Sequence, residues 1–138
     1  MWTFEHTETT AASVRQLWGR WSTPLAWGEW DHGLREVTSI GPFDVGTRGT
    51  VRRVTGPRTT FVLTRVDELE GFTLMSPLPL GTLTLDHQVT PGTEPLRFTH
   101  RVIITGALAS LFGRILGNRL ARELPESMRR LAALAESA

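Results

Sequence analysis

The chain holds four histidines, and two of them fall in LTLDHQVTPGTEPLRFTHRVII, residues 83 to 104, where the pattern otherwise asks for apolar side chains. Histidine changes charge near neutral pH, so it serves as a polar anchor, a general acid or base, or a metal ligand. From 82 to 90 the odd positions are Leu83, Leu85, His87 and Val89, while the even ones are Thr82, Thr84, Asp86, Gln88 and Thr90. Such alternation marks a strand whose odd set faces inward. Phe98, His100, Val102 and Ile104 share one parity in the next stretch. A hairpin centred on PGTE sets Val89 opposite Phe98, His87 opposite His100 and Leu85 opposite Val102. Opposed Cβ atoms on one face lie about 4.5–5.5 Å apart, so the two imidazoles can touch. A slip of one residue would bury the threonines, and a slip of two would leave the pair diagonal.

His6 shares the parity of Trp2 and Phe4, which points three of the four histidines inward. Three roles are open to them. They are buried, neutral and hydrogen-bonded; or they are polar anchors or a general acid/base in a ligand pocket; or His6, His87 and His100 bind zinc or iron, with Glu8 as a further candidate. No H-x-H or H-x-x-x-H spacing supports the metal role. No metal or other cofactor is expected.

The rest of the chemical menu is short. There is no cysteine, which excludes disulfides and thiolate chemistry. All 15 basic residues are arginine, so no lysine can form a Schiff base or serve a phosphate loop. Tyrosine is absent too. With a net charge of only +1, a nucleic-acid partner is not expected. GFTLMSPLPLGTLTL is the longest uncharged stretch and too short for a membrane-spanning helix. MWTFEHTETT lacks the basic start and apolar run of a secretory signal, so the cytoplasm is the expected compartment.

These residues need elements to hold them. Trp2 to Thr10 alternates as a strand, and Thr10 could cap a helix over AASVRQLWGRWS with Val14, Leu17, Trp18 and Trp21 on one face. LAWGEWDHG gives a second short helix or turn ending at Gly33. Leu34–Ile40, Thr47–Thr55, Thr60–Leu69, Phe72–Ser76, Thr82–Thr90 and Leu96–Thr105 read as strands joined by turns. From Ala107 the period becomes helical, with an expected kink at Pro125. Gly113 and Gly117, one turn apart, suggest a close backbone approach or space for a ligand. The 138 residues suit one domain. Its antiparallel meander can cover its apolar face only with the last helix, and a hollow where sheet and helix part is where a ligand would bind.

W-x-x-W-D at Trp27 to Asp31, GPFDVGTRG at 41 to 49, the LDHQV and FTHRV strands and the terminal GALASLFGRILGNRLARELPESMRRLAALAE together define a resemblance. In this order they are similar to small actinobacterial polyketide cyclase/dehydrase-type proteins of the START/Bet v 1-like (SRPBCC) superfamily, over nearly the whole chain. The resemblance implies an α+β helix-grip fold: a seven-stranded curved antiparallel sheet around a long C-terminal helix, two short helices after the first strand, and an internal cavity. It carries no universal catalytic motif, so it assigns no catalytic residue.

The expected function is binding of a small hydrophobic or aromatic molecule, lipid- or polyketide-like. Phe61, Met75, Leu85, Val102, Phe112 and Leu116 would form the apolar wall, with His6, His87 and His100 as its polar features. Trp27 or Trp30 could stack on the ligand, against the simpler role of packing on the sheet. Arg65 shares the parity of Phe61 and Leu63 and could anchor an anion, although Val62 and Val66 claim the other parity. Of Arg52 and Arg53 at most one faces inward. Arg114, Arg119, Arg122, Arg129 and Arg130 would form a solvated helix face, or a membrane-surface one. Two alternatives stand beside binding: a cyclase/dehydratase using His87 and His100 as general acid and base, and a protein-interaction or structural module with a filled cavity. Oligomeric state and ligand identity are not readable from the chain.

Overall fold

The computed structural model describes residues 1–137. Seven strands form one antiparallel sheet: β1 (Trp2–Thr10), β2 (Leu34–Ile40), β3 (Arg48–Arg53), β4 (Arg58–Asp67), β5 (Gly71–Leu78), β6 (Gly81–Thr90) and β7 (Leu96–Gly106). Their order across the sheet is β1-β7-β6-β5-β4-β3-β2. Strands β2 to β7 thus follow one another as hairpins, and only β1 is displaced, pairing with β7 at the far edge. The expected strand stretches are all present, with no end differing by more than two residues.

The β6–β7 register sets Val89 opposite Phe98, His87 opposite His100 and Leu85 opposite Val102. On the other side of β7, His6 stands opposite His100. Two irregularities interrupt the sheet, one between Leu34 and Glu36 and one between Leu63 and Arg65. An extra residue in one strand reverses the facing of everything after it, and the second irregularity decides where Arg65 points.

Helix α1 (Val14–Trp21) starts at Ser13 rather than at Thr10. The Ser13 hydroxyl accepts from the Gln16 backbone N–H, and the Gln16 side chain accepts from the Ser13 N–H, a reciprocal cap. Thr10 instead donates to the Ala132 carbonyl, tying β1 to the last helix. A 3-10 turn (Pro24–Glu29) follows α1. The chain ends in α2 (Ala109–Phe112), a π-helical segment (Gly113–Gly117) and α3 (Asn118–Glu136), which run on as one long helix. Pro125 lies inside α3 without ending it, and the irregular turn falls at the two glycines instead. The cause is Trp2. A Cβ on Gly113 would sit 2.5 Å from the Trp2 ring and one on Gly117 2.8 Å from it, so both glycines let the edge strand meet the helix backbone.

The core lies between the concave face of the sheet and these helices. It is aromatic: Trp21, Trp27, Trp30, Phe61, Phe72 and Phe98 are all buried with Leu17, Leu63, Met128 and Leu131. Edge-on ring contacts join Trp21 to Phe72 and to Phe98, with centroids 5.8 and 6.2 Å apart.

Candidate functional site

His87 and His100 stand side by side in the middle of the sheet's concave face, with ring centroids 4.4 Å apart and planes at 73°. Both are buried. Each has one nitrogen committed to the protein. The Nδ1–H of His87 donates to the Phe72 carbonyl at 3.2 Å, and the Phe72 ring stacks on the imidazole at 3.9 Å. Because a carbonyl only accepts, Nδ1 carries the proton and Nε2 keeps its lone pair. His100 is held in the opposite sense. The indole N–H of Trp21, a donor only, points at His100 Nε2 from 3.1 Å, so Nε2 is the lone pair and Nδ1 carries the proton. Neither His87 Nε2 nor His100 Nδ1 has a hydrogen-bond partner among the described residues.

Burial keeps both rings neutral. Desolvation lowers the His87 pKa from 6.5 to about 4, against the opposing pull of the Phe72 carbonyl and Asp86. His100 is pushed well below 6.5 by burial, and its histidine neighbours add to the shift. At neutral pH the site therefore offers one fixed acceptor and one fixed donor.

Both histidines border a cavity of about 510 Å³ between the sheet and the last helix. Phe61, Leu85 and Val102 line it from the strands, and Phe112 and Leu116 from the helix. Trp27 and Trp30 close the end under the 3-10 turn, both buried. Trp27 stacks on Phe72, with centroids 5.9 Å apart and planes at 18°. The Trp30 indole nitrogen is sealed and has no hydrogen-bond partner among the described residues, while its ring sits 5.9 Å from that of His100. Leu74, Ser76 and Leu83 extend the sheet wall.

Three expected site residues lie elsewhere. Met75 faces away from the cavity, because Phe72, Leu74 and Ser76 take the inward parity of β5 and Met75 pairs with Val62 and Thr84. The adjacent apolar pair Leu74–Met75 hid that parity in the sequence. Arg65 shares the parity of Phe61 and Leu63, but the irregularity at Thr64 turns it to the convex face. There it bonds Asp67 at 2.7 Å and Asp86 at 3.1 Å. Burial works against the Asp86 anion, but the bonds from Thr73 and Arg65 outweigh it and hold that carboxyl below 3.8. His6 shares the inward parity of β1 and stands opposite His100, but it does not line the cavity. Its Nε2 lies 3.2 Å from Glu8. Among the described residues no three His, Asp or Glu side chains converge as a metal-ligand set, so His6, His87 and His100 do not form one.

Arg53, one of the adjacent arginine pair, lies at the cavity mouth. Its guanidinium bridges Asp31, before β2, at 3.3 Å and Glu123, on α3, at 3.1 Å. Arg119 reaches Thr55 in the β3–β4 turn at 2.5 Å. No local pattern in the sequence marks this clasp, because its members come from three separated segments. Asp31 also accepts from the Gly33 N–H, and His32 is exposed.

A curved antiparallel sheet that grips a long C-terminal helix over a cavity defines a helix-grip protein of the Bet v 1-like class. The family model described as "Polyketide cyclase / dehydrase and lipid transport" matches residues 1–136, and the chain belongs to that family. Solved structures similar to it include the di-domain ARO/CYC StfQ of the steffimycin biosynthetic pathway, at 16% identity and a TM-score of 0.80, covering 98% of this chain and 50% of that one. Ara h 8.0201 matches at 10% identity and a TM-score of 0.77, with 99% of both chains covered. Truncated norcoclaurine synthase from Thalictrum flavum matches at 17% identity and 0.72, covering 96% of this chain and 92% of that one. No protein among the curated ones matches the sequence. At these identities the likeness speaks for fold alone.

Proposed function

We propose that this protein binds a small, largely apolar molecule that carries a hydrogen-bond acceptor and a donor close together. The observation that carries the reading is the opposed commitment of the two cavity histidines. His100 Nδ1–H would give a hydrogen bond to a ligand carbonyl or ether oxygen, and His87 Nε2 would accept one from a hydroxyl. Phe61, Leu85, Val102, Phe112 and Leu116 would supply apolar contact, and family membership supports a hydrophobic ligand. Keeping both imidazoles neutral suits recognition, because a neutral pair costs less to desolvate than a charged one.

A cyclase/dehydratase reading rests on the same geometry. His87 Nε2 would remove a proton beside a ketone while His100 Nδ1–H stabilised the enolate oxygen. A base held near a pKa of 4 is weak for that work at neutral pH, which favours binding over catalysis.

The test is native mass spectrometry of the purified protein, followed by titration with anilinonaphthalene sulfonate as an apolar probe and with phenolic ketones. Phe112→Ala is expected to weaken every ligand. His100→Phe is expected to weaken the ketones about tenfold and the apolar probe little, because only the ketones lose a hydrogen bond. Equal losses for both ligand types would count against the histidine role. Turnover of a ketone, lost in His87→Gln with binding intact, would move the reading to catalysis.

A further inference from the structure

The antiparallel meander sorts the connections to two ends of the molecule. The β3–β4 turn, the β5–β6 turn and the passage from β7 to the last helix lie at one end, with the starts of β1 and β2. The cavity reaches this same end, since Gly56, Pro57, Leu78, Pro79 and Ile115 border it. The Leu80 carbonyl accepts from the Ala107 N–H at 3.0 Å, which joins the β5–β6 turn to the start of the helix.

Large apolar side chains stand out from this rim. Leu80 is 73% exposed, Ile115 58%, Val54 55% and Leu111 50%, while at the far end Ile40 and Val45 are exposed beside an acidic turn. The four at the rim come from three separate segments that meet only at the mouth. Leu80 is held outward on a backbone with φ of 57°, a left-handed conformation unusual for leucine. Exposed apolar groups gathered round an opening mark a contact surface.

Charge divides along the same axis. The three far-end turns, β2–β3, β4–β5 and β6–β7, carry Asp44, Glu68, Glu70 and Glu94 and no basic residue. The mouth-end turns β3–β4 and β5–β6 carry no charge themselves, and Arg52, Arg53 and Arg58 flank the first of them. Residues 109 to 122 of the helix hold Arg114, Arg119 and Arg122 and no acid. The acids near the mouth, Asp31, Glu36 and Glu123, are engaged by Arg53 and Arg58. Arg52, Arg114, Arg119 and Arg122 have no carboxylate partner among the described residues.

We infer that the mouth end docks on an anionic lipid bilayer. Leu80, Ile115, Val54 and Leu111 would enter the headgroup–acyl boundary while the arginines that have no carboxylate partner lie against lipid phosphates. Apolar tips borne on separate turns, ringed by arginine, suit a fluid surface better than one fixed protein surface. No helix among the described residues is long and apolar enough to cross a membrane, and docking of this kind needs none. The inference stands on the surface alone and does not depend on what fills the cavity.

The experiment is flotation of the full chain with vesicles of phosphatidylcholine alone and of phosphatidylcholine with phosphatidylglycerol. Binding is expected to the anionic vesicles and to fall steeply with added salt. Arg114→Gln and Arg122→Gln should each weaken it about fivefold. Leu80→Asp and Ile115→Asp, both at exposed positions, should abolish it with the far-ultraviolet circular dichroism unchanged. The far-end substitutions Arg48→Gln and Arg97→Gln should leave it intact. Absence of binding to anionic vesicles overturns the inference, as does equal sensitivity to far-end and mouth-end arginines. A dimer in sedimentation velocity that Leu80→Asp dissociates would overturn it in favour of a second copy of the chain.

Discussion

His87 and His100 are the same residue type on facing strands, yet their outer partners make them chemical opposites. The Phe72 carbonyl fixes a proton on Nδ1 of His87, and the Trp21 indole N–H denies one to Nε2 of His100, so the nitrogen left over is an acceptor in the first and a donor in the second. A pH dependence follows. The native state holds His87 near a pKa of 4, whereas the unfolded chain restores about 6.5. Between those values the unfolded state binds more protons, so stability is complete above about pH 6.5 and declines as the pH falls toward 4. His87 alone accounts for roughly 3 kcal/mol of that loss, and His100 acts in the same direction. Asp86, with its pKa below 3.8, contributes only at still lower pH. Urea denaturation at pH 7, 5.5 and 4 should show the decline, and His87→Gln should flatten it. The pairing of the two rings was legible because the hairpin turn and strict alternation fix a register. Their tautomers were not, because the Trp21 indole comes to His100 from a helix distant in sequence and the Phe72 carbonyl to His87 from the neighbouring strand.

At the level of elements, the strands were readable where apolar and polar residues alternate and misleading where two apolar residues adjoin or a strand gains a residue. Met75 illustrates the first failure and Arg65 the second. The start of α1 was written in the sequence as Ser13 and Gln16, three apart, but Thr10 precedes them and is equally able to cap. The glycine pair in the last helix carried a real signal of close approach, and its partner proved to be the edge strand. That contact gives a clean test. Gly113→Ala should destabilise by about 1–3 kcal/mol through collision with Trp2. In a Trp2→Ala background the same change should instead stabilise by up to about 1 kcal/mol, as alanine replaces glycine in a helix. A double-mutant cycle from thermal or denaturant unfolding reads the reversal of sign.

For the molecule as a whole, the order of elements was enough to give the architecture, since consecutive hairpins leave one simple sheet and only one helix long enough to cover it. What the order could not give was the clasp at the mouth, where Arg53 gathers a carboxylate from the segment before β2 and another from α3. Its consequence is one of timing. The clasp lies at the rim, away from the histidines, so it contributes little to how tightly a ligand is held and much to how often the passage opens. Arg53→Gln should raise the association and dissociation rates of an apolar probe together in stopped-flow fluorescence, with the equilibrium constant changed by less than about twofold. Added salt, which screens partly exposed ion pairs, should speed exchange in the unmodified protein and have little effect in the variant. In such a molecule the depth of the cavity chooses the guest, and an arginine at the rim sets how long it stays.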